Sequence, residues 1–394
     1  MKIPIARPSL GKPEAAAAAE AVLSGWVTQG PRVEQFEKDF ASYAGAEHAC
    51  AVSSCTTALH LALIAVGVKP GDVVITVSHS FIATANSVRY CMAEPVFVDI
   101  DSCTFNMSPE SLERCLRRDC IPRGGSLYYK KVSKVAAIMP VHQMGMPADM
   151  RSILAIARRY GIPVVEDAAC AIGSEIAIKG GSARERIGRP HGDVACFSFH
   201  PRKILTTGDG GMLTTCSAKH DRLFRLLRQH GMSVSDRKRH IAAKVSFESY
   251  LMTGYNYRMT DIQAAVGIEQ LKRIDVMIAG RRRLASVYEK ELSDVPWLRL
   301  PTEPAYCRTN YQSYPVTVLK GAPRSRDSLM QRLLDRGVST RRGIMNAHQE
   351  APYRAHREDL KMSERARDSV ILLPVFHGLK EVEIRKIAEI IKDA

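Results

Sequence analysis

No two cysteines in this 394-residue chain are spaced as C-x-x-C. The ten that are present fall at irregular intervals, so neither a zinc-ligand pattern nor a disulfide framework can be read from them, and no metal is expected. The opening stretch MKIPIARPSLGKPEAAAAAE lacks the apolar core and cleavage site of a secretory signal. The longest apolar run, around 58–68, carries His60 and is too short to cross a bilayer. Internal repeats are absent, and the alanine run 15–19 is the single low-complexity segment. These absences place the chain in a reducing cytoplasm, without a membrane partner. Acidic residues are also in deficit. Against 56 Lys and Arg there are 41 Asp and Glu, a net charge of +15. That balance points to an anionic partner: a phosphorylated substrate, a nucleotide or nucleic acid. The densest basic clusters are short (RKRH 237–240, RRR 281–283, RR 341–342) and are read as solvated helix faces rather than a nucleic-acid surface.

What is present is a regular alternation. From residue 50 to about 230, β-branched runs alternate with amphipathic helical ones. VVITV (73–77) precedes FIATANSVRYCMA, and PVFVDI (95–100) precedes SPESLERCLRR, with Ser108 as cap and Pro109 at the first helical position. VAAIMPV (135–141) precedes ADMRSILAIARRYG, which Gly161 stops, and PVVEDAA (163–169) follows at once. The pattern predicts βαβ units and a mostly parallel sheet flanked by helices. After about residue 245 it changes to a long helical region with basic faces (260–293), Pro-containing connectors, a strand YPVTV (314–318), a helix (325–336) and a terminal helix. The division is therefore a large α/β domain, 1–250, and a smaller α+β domain, 251–394, with the boundary anywhere in 245–295.

In an open parallel sheet, ligands bind beyond the carboxyl ends of the strands. Three stretches put chemistry there. In VSSCTTALHLAL (52–63), Ser53, Ser54, Thr56 and Thr57 stand before an apolar helix, whose start is an anion site or simply a capped end. In VVEDAAC (164–170), Asp167 ends a hydrophobic strand, as a cap or as the partner of a buried cation. In VACFSFHPRK (194–203), alternation sends Ala195, Phe197 and Phe199 to one face and Cys196, Ser198 and His200 to the other, with Lys203 just past the strand end. A lysine is a nucleophile only when deprotonated, and Schiff-base chemistry with a carbonyl cofactor is its main outlet. Pyridoxal phosphate needs a lysine for its aldehyde, a carboxylate for its ring nitrogen and a cradle for its phosphate. The chain offers all three.

Taken together, SGWVTQGPRVEQFEKDFASYAG (24–45), GDVVITVSHSFIATANSV, PVFVDID, PVHQMGMPADM, VVEDAA, FSFHPRKILTTGDGGM and GYNYRMTDIQAAVGIEQLKRID (254–275) resemble the DegT/DnrJ/EryC1/StrS family of sugar aminotransferases over nearly the whole chain. The resemblance implies the aspartate aminotransferase (type I) fold and the cofactor pyridoxal phosphate, in its pyridoxamine form after the first half-reaction. It implies that Lys203 binds the cofactor as a Schiff base and shuttles the proton, and that Asp167 pairs the ring nitrogen. Phe81 would stack on the ring. Thr56, Thr57 and Ser198 would hold the phosphate, and Asn256 would reach it from the neighbouring subunit of a homodimer. The implied reaction moves an amino group from an amino acid, commonly glutamate, to a keto sugar, often nucleotide-linked. Some relatives act on cyclitols instead.

Two further readings are weaker. Pyridoxamine-dependent dehydratases of this fold replace the lysine by histidine, so Lys203 argues against that chemistry. A non-catalytic regulatory or nucleic-acid-binding role has only the positive charge behind it, and Lys203 and Asp167 together oppose it. Several positions depart from the family. Cys55 stands where glycine is usual and is read as simple packing. Cys170 stands where glutamine often lies beside the cofactor's hydroxyl, and a thiol is a weak donor there. Gln312 and Ile344 stand near places where histidine and tyrosine are common, in segments that meet substrate. The basic stretch RGGSLYYKK (123–131) has no usual counterpart and reads as a solvated surface loop within possible reach of an anionic substrate.

Overall fold

The computed structural model describes residues 2–177, 183–234, 247–356 and 358–394. Helices α1 (Lys12–Leu23) and α2 (Pro31–Ala44) lead into strand β1 (His48–Val52), α3 (Cys55–Ala65), β2 (Val73–Val77), α4 (Ala83–Tyr90), β3 (Glu94–Val98) and α5 (Pro109–Arg118). Ser108 caps α5 by accepting from Ser111 N, as its position before Pro109 predicts. Next come β4 (Cys120–Arg123), β5 (Ser126–Tyr129), β6 (Ser133–Met139), α6 (Met150–Tyr160) and β7 (Val165–Asp167). Two-residue strands β8 (Glu175–Ile176) and β9 (Glu185–Arg186) precede β10 (Val194–Ser198), β11 (Gly211–Thr215) and α7 (Ala218–Leu227).

Strand β2 pairs in parallel with β3 and β6, and β7 pairs in parallel with β10. Parallel bridges Ile138↔Val164 and Val141↔Asp167 join the two halves. Strand β11 runs antiparallel between β10 and β1. The result is one sheet of order β3-β2-β6-β7-β10-β11-β1 in which all but β11 point the same way. The carboxyl ends of β1, β2, β6, β7 and β10 therefore share one edge, and the turn into β11 returns to it. The two faces of β10 sort as its alternation predicts. Ala195, Phe197 and Phe199 join Phe36 and Phe40 in the larger core, while Cys196 packs with Leu59 and Leu63 beneath α3. Ring centroids of 5.1 Å for Phe40–Phe197 and 5.4 Å for Phe36–Phe199 show how closely α2 covers that face.

The stretch 123–131 is not a loop. Strands β4 and β5 form a hairpin about Gly124–Gly125, and Leu127 is buried in the main core. The hairpin adjoins Ser133 and Lys134, at the end of β6 opposite the shared edge. Lys130 and Arg123 lie over Tyr129 and Tyr128 rather than reaching toward a ligand.

Helix α8 (Asp261–Lys272) packs on α1 and α2, and Asp261 accepts from the N–H groups of Gly30 at 2.8 Å, Val33 at 3.0 Å and Arg32 at 3.1 Å. One carboxylate thus caps α2 from outside, joining two stretches far apart in sequence. Helix α9 (Ile274–Leu292) links two cores. Ile274, Met277 and Ile278 belong to the large one, while Leu284, Ala285, Tyr288 and Leu292 belong to a second. The second core lies under an antiparallel sheet of order β12-β14-β16-β15: Leu298–Arg299, Tyr314–Val318, Val370–Leu373 and Arg341–Arg342. Strand β13 (Cys307–Arg308) instead pairs with β8. Helices α10 (Arg326–Asp335), α11 (Lys361–Ser369) and α12 (Glu381–Lys392) complete this unit, to which Ile3 also contributes. The RRR cluster is not a solvated face throughout, because Arg281 is buried and bonds three carbonyls. RKRH 237–240 lies outside the described residues. No helix among those described is long and apolar enough to cross a membrane.

Candidate active site

Lys203 lies on the turn after β10, its N–H donating to His200 O at 2.8 Å. The base of that loop is closed by Phe199 N–H to Gly210 O and by Thr207 N–H to Phe199 O. The glycine-rich turn has a steric cause. A Cβ on Gly211 would stand 2.4 Å from the Ser54 carbonyl carbon, so only glycine lets β11 start against the first peptide of α3. The turn thus brings the lysine loop and the helix start together.

Lys203 Nζ is 2.9 Å from Cys170 Sγ. Burial alone would weaken its ammonium. The Cys170 sulfur, with Cys55 and the Asp167 carboxylate, outweighs burial and holds Lys203 above its ordinary pKa. Burial pushes the Cys55 thiol well up, which leaves it neutral. Nζ therefore carries a proton that it must lose before it attacks a carbonyl, and Cys170 is the group beside it.

Asp167 is only 4% exposed. Its Oδ2 accepts from Thr84 Oγ1 at 2.8 Å and its Oδ1 from Ala169 N at 3.1 Å. Ser80 Oγ in turn lies 2.7 Å from Thr84 Oγ1, so a hydroxyl chain runs into the carboxylate. Burial raises the Asp167 pKa, and the Thr84 and Ala169 bonds and the Lys203 charge offset this only in part. Among the described residues no cation forms an ion pair with it. A buried carboxylate provided with donors but no counter-ion is prepared for a cation from elsewhere, and a protonated ring nitrogen meets that need. The neighbouring Glu166 points to the opposite face of β7, where it accepts from His142 Nε2 at 3.0 Å and from His191 N and Gly192 N, each at 2.7 Å. These bonds hold the strand that presents Asp167.

Beside this pair begins α3. Ser54 caps it by accepting from Thr57 N at 3.2 Å. Thr57 Oγ1 donates to Ser54 O at 2.8 Å, so its one proton serves the cap and is not offered to an anion. The donors left are the first-turn N–H groups, the half-buried Thr56 and the half-buried Ser198, whose Oγ only accepts, weakly, from His200 N at 3.5 Å. This set suits a phosphate. Cys55 is buried in the same core cluster as Leu59 and Cys196. Together, the free donors, the unpaired carboxylate and the lysine fit pyridoxal phosphate.

Phe81 is 65% exposed, ahead of α4 on the site edge, and is not the core residue that its hydrophobicity alone suggests. Asn256 is exposed too. Its segment lies along the end of β1 through Ser53 N–H to Tyr257 O at 2.8 Å, and its side chain has no hydrogen bond to this chain's own site among the described residues. Both ends of the Gln312 amide bond the backbone on either side of Lys203. Ile344 packs partly buried against the main core. Sequence reasoning missed Thr84 and Ser80. The available signal was a threonine and a serine one helical turn apart within SFIATAN, both buried.

Residues 8–392 match the DegT/DnrJ/EryC1/StrS aminotransferase family. GDP-perosamine synthase of Caulobacter vibrioides is 37% identical over 392 residues, covering 98% of this chain and 96% of that protein. The aminotransferase TlmJ from Streptoalloteichus hindustanus has the same fold with a TM-score of 0.87 at 32% identity, over 100% of this chain and 98% of that one. DesI, solved in the presence of its TDP-sugar product, gives a TM-score of 0.84 at 26% identity, over 99% and 92%. The chain belongs to the DegT/DnrJ/EryC1/StrS family and is a pyridoxal phosphate-dependent aminotransferase of the type I fold.

Proposed function

We propose that this protein transfers an amino group from glutamate to a keto sugar carried on a nucleotide, in the building of an amino sugar. The observation that carries the reading is that one sheet edge presents both Lys203 and the buried Asp167, whose carboxylate is held by Thr84 and forms no ion pair among the described residues. When bound, the cofactor supplies a reactive aldehyde carbon and a ring that withdraws electrons. The chain supplies the rest. Lys203 anchors the cofactor and carries the proton between carbon atoms. Asp167, oriented by Thr84, keeps the ring nitrogen protonated. Thr56, Ser198 and the first turn of α3 receive the phosphate, Phe81 covers the ring, and Asn256 completes the site of a partner subunit, which makes the working unit a homodimer. An exposed Phe81 and an exposed Asn256 are what a ring cover and a residue serving a partner look like in a single chain.

The nucleotide rests on the net charge of +15 and on the GDP- and TDP-linked names of two relatives. All ten cysteines are free, in keeping with work in the reducing cytoplasm. The test is a panel of acceptors with glutamate as donor. Nucleotide-linked keto sugars should turn over, and salt should weaken their binding more than it weakens glutamate's. Preference for a small uncharged ketone or a cyclitol would reject the nucleotide.

A further inference from the structure

Lys203 is held by the smaller unit. Gln312, at the entry to β14, is 9% exposed. Its Oε1 accepts from Ile204 N at 3.1 Å and its Nε2 donates to Arg202 O at 2.7 Å. A single amide therefore bonds the main chain on both sides of Lys203. Two residues earlier, the fully buried Asn310 donates from Nδ2 to Cys170 O at 2.9 Å and Ile172 O at 2.8 Å, and its Oδ1 accepts from Gln312 N at 2.8 Å. Cys170 is the residue whose sulfur meets Nζ, three positions after Asp167. One three-residue segment thus grips both the loop that bears Lys203 and the turn that follows Asp167.

The surroundings are built to hold this segment. Gly145, at φ +97°, makes the room, since a Cβ there would lie 1.9 Å from Asn310 Oδ1. Tyr311, between the two amides, has φ +50°, a backbone state that non-glycine residues adopt rarely and keep only where neighbours enforce it. The enforcement comes from the buried Arg281, whose Nη1 donates to the carbonyls of Tyr311 at 3.1 Å, Gln312 at 3.3 Å and Val375 at 2.9 Å. Packing alone would be met by an apolar side chain of similar length. Two hydrogen bonds flanking the one lysine on the turn do something more specific, because reacting groups must be held to fractions of an ångström.

We propose that Gln312 is a positioning residue for Lys203, anchored by Asn310, and that together they set where Nζ stands relative to Asp167. The proposal rests on the reading of Lys203 as the cofactor-bearing lysine, but its test does not need the cofactor. Gln312→Met keeps the volume and removes both bonds. Gln312→Glu keeps the acceptor for Ile204 and loses the donor to Arg202.

Each variant is prepared cofactor-free and checked by thermal melting. Lysines are then labelled with acetic anhydride across a pH series and read by peptide mass spectrometry. In Gln312→Met, Lys203 should drift from Cys170 and Asp167 and titrate closer to an ordinary lysine. Its labelling midpoint should fall by about half a pH unit, or about threefold faster labelling at fixed pH below the midpoint, with other lysines unchanged. In the loaded enzyme kcat should fall by about tenfold or more while the KM for glutamate moves less than about twofold. Gln312→Glu should lie between the two proteins. A folded Gln312→Met protein whose Lys203 labelling and kcat stay within about twofold of the parent overturns the proposal. So does a lowered melting temperature with an unchanged labelling profile, which makes Gln312 structural only. If Gln312→Met does not fold, Gln312→Glu decides by the same readouts. Cofactor attached to another lysine would reject the reading of Lys203, yet the labelling result would still judge the clamp.

Discussion

Replacing Asp167 with asparagine separates charge from shape at the centre of the site. The carboxylate takes two hydrogen bonds, from Thr84 Oγ1 at 2.8 Å and Ala169 N at 3.1 Å. An asparagine Oδ1 can keep the Ala169 bond, but its Nδ2 would face Thr84, whose hydroxyl would have to turn and lose its acceptor. That rearrangement costs about 1 kcal/mol, the net worth of one ordinary hydrogen bond. Against it stands the removal of a buried charge that has no counter-ion among the described residues.

Because the folded-state pKa of Asp167 is raised, the folded protein binds this proton more tightly than the unfolded chain. Its contribution to stability is complete below the unfolded pKa and is lost as pH rises through the folded one. Cofactor-free Asp167→Asn should therefore melt no more than slightly below the parent at low pH and gain on it as pH rises toward neutral. Catalysis should move the other way. Loss of the partner of the ring nitrogen should slow single-turnover amino transfer from glutamate by about a hundredfold or more, about 2.7 kcal/mol of transition-state stabilisation. Calorimetry across pH and stopped-flow absorbance check the two halves. A rate loss under about tenfold, about 1.4 kcal/mol, refutes the electrostatic role. A fall in cofactor-free stability that grows with pH refutes the argument from the unpaired charge.

Other predictions follow from neighbouring contacts. Thr84→Val removes the hydroxyl donor to Asp167 and should raise that carboxyl's pKa further, shifting the acidic limb of the rate profile upward in pH; an unmoved limb counts against the hydroxyl chain. Gly211→Ala forces a methyl group against the Ser54–Cys55 peptide and should cost about 1–3 kcal/mol in urea unfolding and weaken cofactor retention, whereas a neutral change contradicts the steric account. Asp261→Ala leaves the N–H groups of Gly30, Arg32 and Val33 at the start of α2 without their acceptor and should cost about 1–2 kcal/mol, read as a shifted urea midpoint with unchanged slope. Mixing Lys203→Ala with Asn256→Ala chains should restore activity if Asn256 serves the neighbouring subunit, because half the hybrid sites then carry neither lesion. No recovery after verified subunit exchange rejects the shared site.

The local elements were legible because their signals are local. The period-2 alternation of β10 sorts Phe197 and Phe199 from Cys196 without knowledge of any partner, and Ser108-Pro109 announces a helix start. The placement of Asp167 and Lys203 on one edge was legible because strand ends in a parallel sheet share an edge. Contacts that bridge distant segments carried no such signal. Thr84 reaches Asp167 across 83 residues, and Gln312 reaches the Lys203 loop across 108 and 110. Nothing in SFIATAN or TNYQSY states which backbone or carboxylate will lie opposite. The hairpin at 120–129 escaped because β4, CIPR, contains a proline and is exposed at three of its four residues, which hides its pairing. Gly124-Gly125 was the turn signal that mattered. The amide bonds of Gln312 were hidden for a related reason: a motif position gives a residue's place in the chain but not the direction of its amide.

The most direct test of the account is to load the protein with pyridoxal phosphate, reduce it with borohydride and map the fixed label by peptide mass spectrometry. The account predicts a single labelled peptide carrying the cofactor on Lys203. It also predicts that Lys203→Ala, folded and still able to hold the cofactor loosely, yields no fixed label and no turnover. A label on any other lysine, or full activity in Lys203→Ala, contradicts it.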